Sequence, residues 1–239
     1  LHLAASEGHE AVVQVLLAAG ADIEAKVGPR QCTALHYAAN EGQTTVVQAL
    51  LAAGADKEAK SVGRTPLLIA AHEGHSAVVQ LLLAAGVDKM ARNNWGATPL
   101  HEAAACGRTP VVQMLLAAGA DTEARNNLQA TPLLDAVFAG RTSVVQMLLA
   151  AGAAAKAQPG SGIDAVALAE AKGHHDIAAI LKKAINQQAS LNECLVCKIH
   201  TTLRCQRCKN AAFCSRMCMK AGWKTHKIVC CDTQKKKKK

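Results

Sequence analysis

Short apolar blocks alternate with polar, glycine-containing segments along most of the chain. Within each block the apolar residues recur at helical spacing, which predicts short helices with one buried face. One typical block runs from Pro110 to Ala118 and turns three residues inward: Val112, Leu115 and Leu116. The block before it supplies a smaller apolar face: Leu100, Ala103 and Ala104. Because such a short helix pair cannot bury its apolar face alone, neighbouring pairs are expected to stack.

Local signals mark where these helices begin and end. Thr98 is a good N-cap, and Pro99 follows at the first helical position, where proline is tolerated. Gly107 is expected to end the first helix of this unit, and Gly119 the second. The polar stretch from Asp121 to Gln129 then forms a turn finger that leads to the next unit.

The pattern returns at a nearly constant interval. A Thr-Pro-Leu segment or a weaker copy of it begins five units: Thr33, Thr65, Thr98, Thr131 and the degenerate Asp164. Successive starts lie 32, 33, 33 and 33 residues apart. A second anchor, Gly followed by Ala or Val and then Asp, recurs with them at Gly54, Gly86 and Gly119. Self-similarity at this period predicts a stack of repeats with one continuous core of Leu, Val and Ala.

The segment Thr98-Pro99-Leu100-His101 and its copies resemble the ankyrin repeat, a β-turn plus two helices. The resemblance covers about residues 1–185 and implies an all-α repeat solenoid of about six helix-turn-helix units with β-turn fingers. The last unit is rich in polar residues, as expected of a capping repeat. The first lacks the Thr-Pro turn and begins at Leu1, so we expect an N-terminally incomplete chain. An upstream catalytic domain would make it a fragment of a larger enzyme.

Comparison among the units shows which positions vary. The second helix is nearly constant, whereas the first helices and the fingers differ from unit to unit. The resemblance implies that first helices and fingers line a concave face. We therefore expect a protein-docking groove around five residues: Tyr37, His72, Trp95, Glu102 and Phe138. The alternative is drift at tolerant exposed sites.

Other polar residues of the repeats have structural interpretations. His36 and His101 occupy the fourth position of the Thr-Pro-Leu-His start, where an imidazole is expected to hydrogen-bond neighbouring turns. His9 and His75 follow the glycines between helices and are expected to start the second helices. Two thiols are predicted to be free: Cys32 and Cys106.

Eight of the ten cysteines lie between Cys194 and Cys231, after a short linker at residues 186–193. Four ligand pairs follow one another: Cys194 and Cys197, Cys205 and Cys208, Cys214 and Cys218, His226 and Cys230. Eight ligands suffice for two closed tetrahedral Zn²⁺ sites, which keep no open position and are therefore structural. A disulfide framework is the competing interpretation, but paired C-x2-C motifs with a terminal His favour zinc in a reducing compartment, cytoplasmic or nuclear.

The ligand order, with Phe213 before Cys214 and the Trp223-x2-His226 context, closely resembles the MYND-type zinc finger over residues 194–230. The resemblance implies two interleaved ions. The first would be held by Cys194, Cys197, Cys214 and Cys218, and the second by Cys205, Cys208, His226 and Cys230. It also implies binding of a short proline-rich peptide, with Trp223 either as a contact or as a core residue. So small a segment needs its metal in order to fold.

The net charge of +9 raises a second hypothesis. Residues 190–239 carry a net charge of +11, which suggests a nucleic-acid or chromatin-associated factor. The run Lys235–Lys239, in a tail at residues 231–239, supplies five of these charges. Two Zn²⁺ ions bound by seven thiolates would remove three more, so that about +3 is left on the finger. No recognition helix is evident, and protein binding is therefore preferred.

The remaining function classes are disfavoured. Aromatic residues make up 2% of the chain, too few for a typical sandwich or barrel core. No apolar run reaches the length of a membrane span. A phosphate loop, a nucleophile elbow and an open metal site are all missing, which argues against an enzyme. We therefore predict an intracellular, non-enzymatic adaptor whose repeats dock one protein and whose finger docks another.

Overall fold

The computed structural model describes residues 1–156 and 164–192, with side chains as far as 187. The chain divides into two compact units, Leu1–Ile180 and Leu181–Lys239, and the boundary falls within the last described helix. The described residues form twelve α-helices: α1 His2–Ser6, α2 Glu10–Ala18, α3 Ala34–Glu41, α4 Thr44–Ala52, α5 Pro66–Glu73, α6 Ser76–Ala84, α7 Pro99–Cys106, α8 Thr109–Ala117, α9 Pro132–Phe138, α10 Thr142–Ala150, α11 Ala165–Ala171 and α12 His175–Asn192. None of these is long and apolar enough to cross a membrane.

Threonine caps begin the first helices of the central units. Thr65 and Thr131 accept hydrogen bonds from the amides of the residues three positions on. Thr98 instead forms a capping box with His101, and Pro99 occupies the first turn. Gly107 closes α7 in the left-handed conformation with φ of 73°. The predicted roles of Thr98, Pro99 and Gly107 are therefore confirmed.

The second helix of the same unit differs slightly from its prediction. It spans Thr109–Ala117, one residue earlier than expected at each end. Proline at the second helical position still loses no hydrogen bond, because the first four amides of a helix have no intrahelical partner. Val111 is fully buried beside Val112 and Leu115. Leu116 is only half-buried, so the inward face lies one residue closer to the N-terminus than predicted.

The helices of the first unit form two layers. The first helices α1, α3, α5, α7, α9 and α11 contact one another in that order, and the second helices α2, α4, α6, α8 and α10 do the same. Equivalent leucines fill the space between the layers, and each is almost completely buried: Leu35, Leu67, Leu100, Leu133, Leu50, Leu82, Leu115 and Leu148. Burial of one such side chain contributes about 1.5–3 kcal/mol before entropy costs.

Short turns project between the units and carry isolated bridges rather than strands in the described residues. Val27 pairs with Cys32 and Ser61 pairs with Arg64. We call these turns the fingers.

Carboxylates tie three of the fingers to the next, and Met90 stands at the equivalent position of the third finger. Glu24 accepts a hydrogen bond from the Asp56 amide at 2.6 Å. Glu58 accepts from the Asp88 amide at 2.7 Å, one repeat further on. Glu123 accepts from the Ala154 amide at 2.8 Å. The same junction therefore recurs along the stack.

Candidate functional site

The five groove residues predicted in the repeats lie on consecutive first helices and on a finger. Tyr37 and Glu102 lie on α3 and α7, four positions after the capping threonine. His72 lies on α5 and Phe138 ends α9, each three positions further along its helix. Trp95 lies on the finger that precedes α7 and is 69% exposed. The structure brings His72 into contact with Glu102, and places Tyr37 and Trp95 around one cavity.

Glu102 is the centre of a network between two repeats. Its side chain is 13% exposed, and Oε2 lies 2.7 Å from His72 Nδ1. The other oxygen, Oε1, accepts a hydrogen bond from Asn93 Nδ2 at 2.8 Å. Asn93 is buried, and its Oδ1 accepts from the amides of Trp95 and Ala97 at 2.9 Å. One carboxylate with little exposure therefore holds the finger that carries Trp95.

Arg64 belongs to the same network, although sequence reasoning did not single it out. Its Nη2 lies 3.7 Å from Glu102 Oε2, an ion pair too long for a hydrogen bond. Both Nε and Nη2 are buried without a hydrogen-bond partner in the structure. A signal was available, because Arg64 is the one charged residue among four equivalents that precede a cap threonine: Cys32, Arg64, Ala97 and Ala130.

A cavity of about 600 Å³ adjoins this network. Tyr37, Ile69 and Trp95 give it apolar and aromatic walls, and Arg64 gives it a cationic one. Most of its lining comes from two neighbouring fingers and from α3. This volume lies in the range of pockets that hold small ligands.

Exposed apolar residues form a row along three successive finger tips. Val62, Trp95 and Leu128 occupy equivalent positions and are 59%, 69% and 78% exposed. Hydrogen bonds join the tips, since Asn94 Nδ2 donates to the Val62 carbonyl and the Asn127 amide donates to the Trp95 carbonyl. We call Val62, Trp95 and Leu128 the finger row. Single exposed apolar residues are ordinary, but an aligned and rigid set indicates an interaction surface.

Phe138 stands apart from this arrangement. It is 57% exposed, and the ammonium of Lys172 lies 3.9 Å from the centre of its ring. This cation–π contact joins α9 to the loop after α11 and gives Phe138 a partner of its own. The predicted groove therefore divides into a connected part around Glu102 and a separate aromatic residue.

Asp135 is a further carboxylate near the network. It occupies on α9 the position that Glu102 holds on α7. Burial raises the pKa of Asp135 to about 7, and the charge of Glu102 adds to the effect. The carboxyl group of Asp135 therefore gains and loses its proton near neutral pH, which the sequence spacing alone did not indicate.

The histidines at the fourth position have the predicted structural role. His36 Nδ1 contacts the cap residue Thr33, and Nε2 lies 3.0 Å from the Ala59 carbonyl. His101 makes equivalent contacts with Thr98 and with the Ala130 carbonyl. Burial lowers the pKa of both histidines, so both are neutral side chains that join neighbouring units by hydrogen bonds.

His9 and His75 occupy the N-cap positions of α2 and α6, although neither side chain makes the capping hydrogen bond. His75 Nε2 instead lies 2.8 Å from the carbonyl of Asn40 in the preceding unit. Both repeat cysteines are free. Cys106 Sγ lies 3.4 Å from His72 Nδ1, but burial raises the pKa of this thiol and keeps it protonated.

No cluster of three or more His, Cys, Asp or Glu side chains in the described ranges could hold a metal ion. Trp223, the candidate peptide contact of the zinc finger, lies outside the described residues. So do the eight predicted zinc ligands: Cys194, Cys197, Cys205, Cys208, Cys214, Cys218, His226 and Cys230. The run Lys235–Lys239 lies outside them as well.

Comparison with family models identifies two domain types. A model of ankyrin repeats matches three times, at residues 1–93, 58–126 and 86–159. A model of the MYND finger matches residues 194–230. Comparison with curated proteins finds no match. Both domain types are typical protein-interaction modules and are generally non-catalytic.

Proposed function

The chain belongs to the ankyrin repeat family and carries a MYND-type zinc finger, and we propose that it is a non-enzymatic adaptor joining two partner proteins. The repeats dock one partner across the first helices and finger tips. The zinc finger docks a short proline-rich peptide of the second partner protein. Two independent sites on one chain raise the effective concentration of each partner near the other.

The finger row is the observation that carries the docking proposal. Three exposed apolar side chains lie at equivalent positions, and hydrogen bonds between the tips hold them in order. A surface organised before binding loses little entropy when a partner arrives. Trp95 is the central member, and tryptophan is among the residues that most often dominate binding energy at interfaces.

Zinc is proposed to hold the second module together. The donor set, seven cysteines and one histidine in pairs, suits tetrahedral Zn²⁺. We assign Cys194, Cys197, Cys214 and Cys218 to one ion. The other ion is assigned to Cys205, Cys208, His226 and Cys230. A segment of this length buries little apolar surface, so the bound zinc is proposed to supply its folding free energy.

The proposed organisation is a repeat domain of about six units at 1–185, a linker at 186–193, the finger at 194–230 and a Lys-rich tail at 231–239. An intracellular reducing compartment, cytoplasmic or nuclear, keeps the zinc-binding thiols reduced. The basic charge of residues 190–239 favours nucleic-acid binding as a second candidate function. Removal of the Lys run would then weaken nucleic-acid affinity sharply and leave peptide binding intact.

A pair of variants tests the docking surface. Leu128→Ala removes a finger-row side chain that is 78% exposed, and the control Val15→Ala removes an apolar side chain that is 68% exposed on the second helix α2, outside the proposed docking surface. Both should leave stability within about 0.5 kcal/mol, because surface substitutions seldom do more. Affinity purification with quantitative mass spectrometry should show reduced recovery of repeat-dependent partners only for Leu128→Ala. Equal recovery with both variants would refute docking at the finger row.

A further inference from the structure

The guanidinium of Arg64 has hydrogen-bonding capacity that the protein itself does not use. Nε and Nη2 form one edge of the planar fork, and both are buried without an acceptor. Glu102 balances the charge at 3.7 Å but does not bind in the paired geometry of an arginine–carboxylate bridge. These two atoms have almost no accessible surface, but the Arg64 side chain is 27% exposed and lines the cavity. A turn of the guanidinium toward an acceptor in the cavity would therefore relieve the cost of the unpaired donors.

The surroundings of Arg64 select the kind of acceptor. Arg64 and Arg30 line the cavity, against one carboxylate, Glu41. Glu41 is already engaged, since its Oε1 accepts a hydrogen bond from Asn40 at 2.7 Å. The nearby imidazole of His36 is neutral, because burial lowers its pKa. The lining residues themselves are two arginines and one carboxylate, and Glu102 lies near Arg64 without a hydrogen bond to it, so the fork of Arg64 suits an anionic group with two oxygen acceptors.

The walls beside Arg64 select what the anionic group is attached to. Ile69 and the aromatic rings of Tyr37 and Trp95 line the cavity, and Val62 joins it to the finger row. A free inorganic anion would leave these apolar walls uncovered. A peptide that carries an acidic and an apolar side chain close together would use both.

We propose that the cavity between the first and second fingers, which Trp95 of the third finger also lines, is a specificity pocket for an acidic side chain in an extended partner peptide. The Asp or Glu carboxylate pairs with Arg64, and a neighbouring apolar side chain packs on Trp95. This inference rests on the proposed docking role of the repeats and names the chemistry that the partner must have.

The network behind the pocket gives it a fixed shape. Asn93 hydrogen-bonds both to Glu102 and to the finger amides of Trp95 and Ala97. Arg64 therefore faces the same carboxylate that holds the finger of Trp95 through Asn93, although Arg64 and Trp95 lie on different fingers. The partner meets a cationic group and an aromatic face at a set separation, which is a basis for selecting sequence as well as charge.

The test uses the purified full-length chain and a random dodecapeptide library displayed on phage. Selected peptides should be enriched in an acidic residue next to apolar residues. One selected peptide and its Asp→Asn or Glu→Gln counterpart are then synthesised and titrated against three proteins. These are the unmodified chain, Arg64→Gln and, as a matched control, Arg141→Gln on the exposed turn before α10.

Loss of the peptide carboxylate and Arg64→Gln should each weaken binding about tenfold, and the two changes together should weaken it little more than either alone. Arg141→Gln should bind like the unmodified chain. Circular dichroism checks that Arg64→Gln is folded, and Arg64→Lys, which keeps the charge but loses the fork, should bind with intermediate affinity.

Two outcomes overturn the inference and differ in what else they affect. Peptides that bind through Trp95 but need no acidic residue, and that are unaffected by Arg64→Gln, refute the pocket and leave repeat docking intact. A library that yields no peptide sensitive to Trp95→Ala refutes both the pocket and the docking surface.

Discussion

Glu102 has a role within the protein that its position in the sequence does not suggest. Sequence variation among the units marks it as a candidate partner contact, yet its side chain is 13% exposed. It binds His72 and Asn93 and faces Arg64, so that it holds neighbouring residues of the surface in place, and its role as a partner contact stays a prediction. Variation at a repeat position can therefore mark a residue that supports a site from behind.

The carboxyl group of Asp135 gives the first prediction. Because its pKa in the folded chain is about 7, above its ordinary value of 3.8, the folded state holds a proton that the unfolded state has released between these values. The free energy of unfolding should therefore fall as the pH rises through this interval. Asp135→Asn should remove the loss and be more stable than the unmodified chain at pH 8, by an amount on the order of 2 kcal/mol.

Urea unfolding followed by circular dichroism at pH 4 and pH 8 measures this difference. Asp121→Asn, on an exposed finger, provides the control and should change stability by less than about 0.5 kcal/mol at both values. The difference in unfolding free energy between Asp135→Asn and the unmodified chain should change with pH. A constant difference would show that Asp135 is not protonated near neutral pH.

At the scale of elements, the limits of the first helices could be predicted because they depend on neighbours in sequence. A threonine cap, a proline in the first turn and a glycine stop act within a few residues, and Thr98, Pro99 and Gly107 all do so. The Arg64–Glu102–His72 network could not be predicted in the same way. Its members come from three units, and helix packing decides which of them meet.

The finger turns give a second prediction. Gly96 has φ of 72°, and an added Cβ would collide with the side chain of Asn127 and lie 3.0 Å from its backbone nitrogen. Gln129, the equivalent residue of the next finger, adopts φ of 60°, so a side chain tolerates this conformation where there is room. Gly96→Ala should therefore lose stability mainly through the collision and should displace Trp95.

Gly54→Ala separates conformational strain from collision. Gly54 has φ of 88° but nothing within 4 Å of an added Cβ, so it should cost only about 1 kcal/mol. Thermal unfolding should show a larger loss for Gly96→Ala than for Gly54→Ala, together with a change in Trp95 fluorescence. Equal losses in the two variants would mean that the tips are not locked against each other.

At the scale of the whole molecule, the two modules are stabilised by different physics. The repeats are stabilised by Leu, Val and Ala side chains buried between the helix layers. The folding of the zinc finger is proposed to depend on its zinc ligands. Metal analysis of the purified chain should find two zinc ions per molecule. Cys205→Ser should lose zinc yet keep most of the helical circular dichroism, because the described helices lie within residues 1–192.

Cys106→Ser tests whether zinc binding depends on any thiol of the chain or only on the cysteines in the predicted ligand pairs. Cys106 is free and lies in the repeats, so this variant should retain both zinc ions. One zinc ion or none in the unmodified chain would contradict the assignment of eight ligands. Loss of helical signal in Cys205→Ser would contradict the independence of the modules.

The carboxylate junction between fingers has a consequence for how the chain can change in length. Glu24, Glu58 and Glu123 each reach an amide in the following unit, so the acceptor always travels with one repeat and the donor with the next. Duplication of a unit that carries the glutamate would restore the same bond at the new boundary, whereas the unit with Met90 would not supply it. An insertion of one full period would therefore keep the glutamate and the amide of the following unit in register. An insertion of half a period would separate the donor from the acceptor at that boundary.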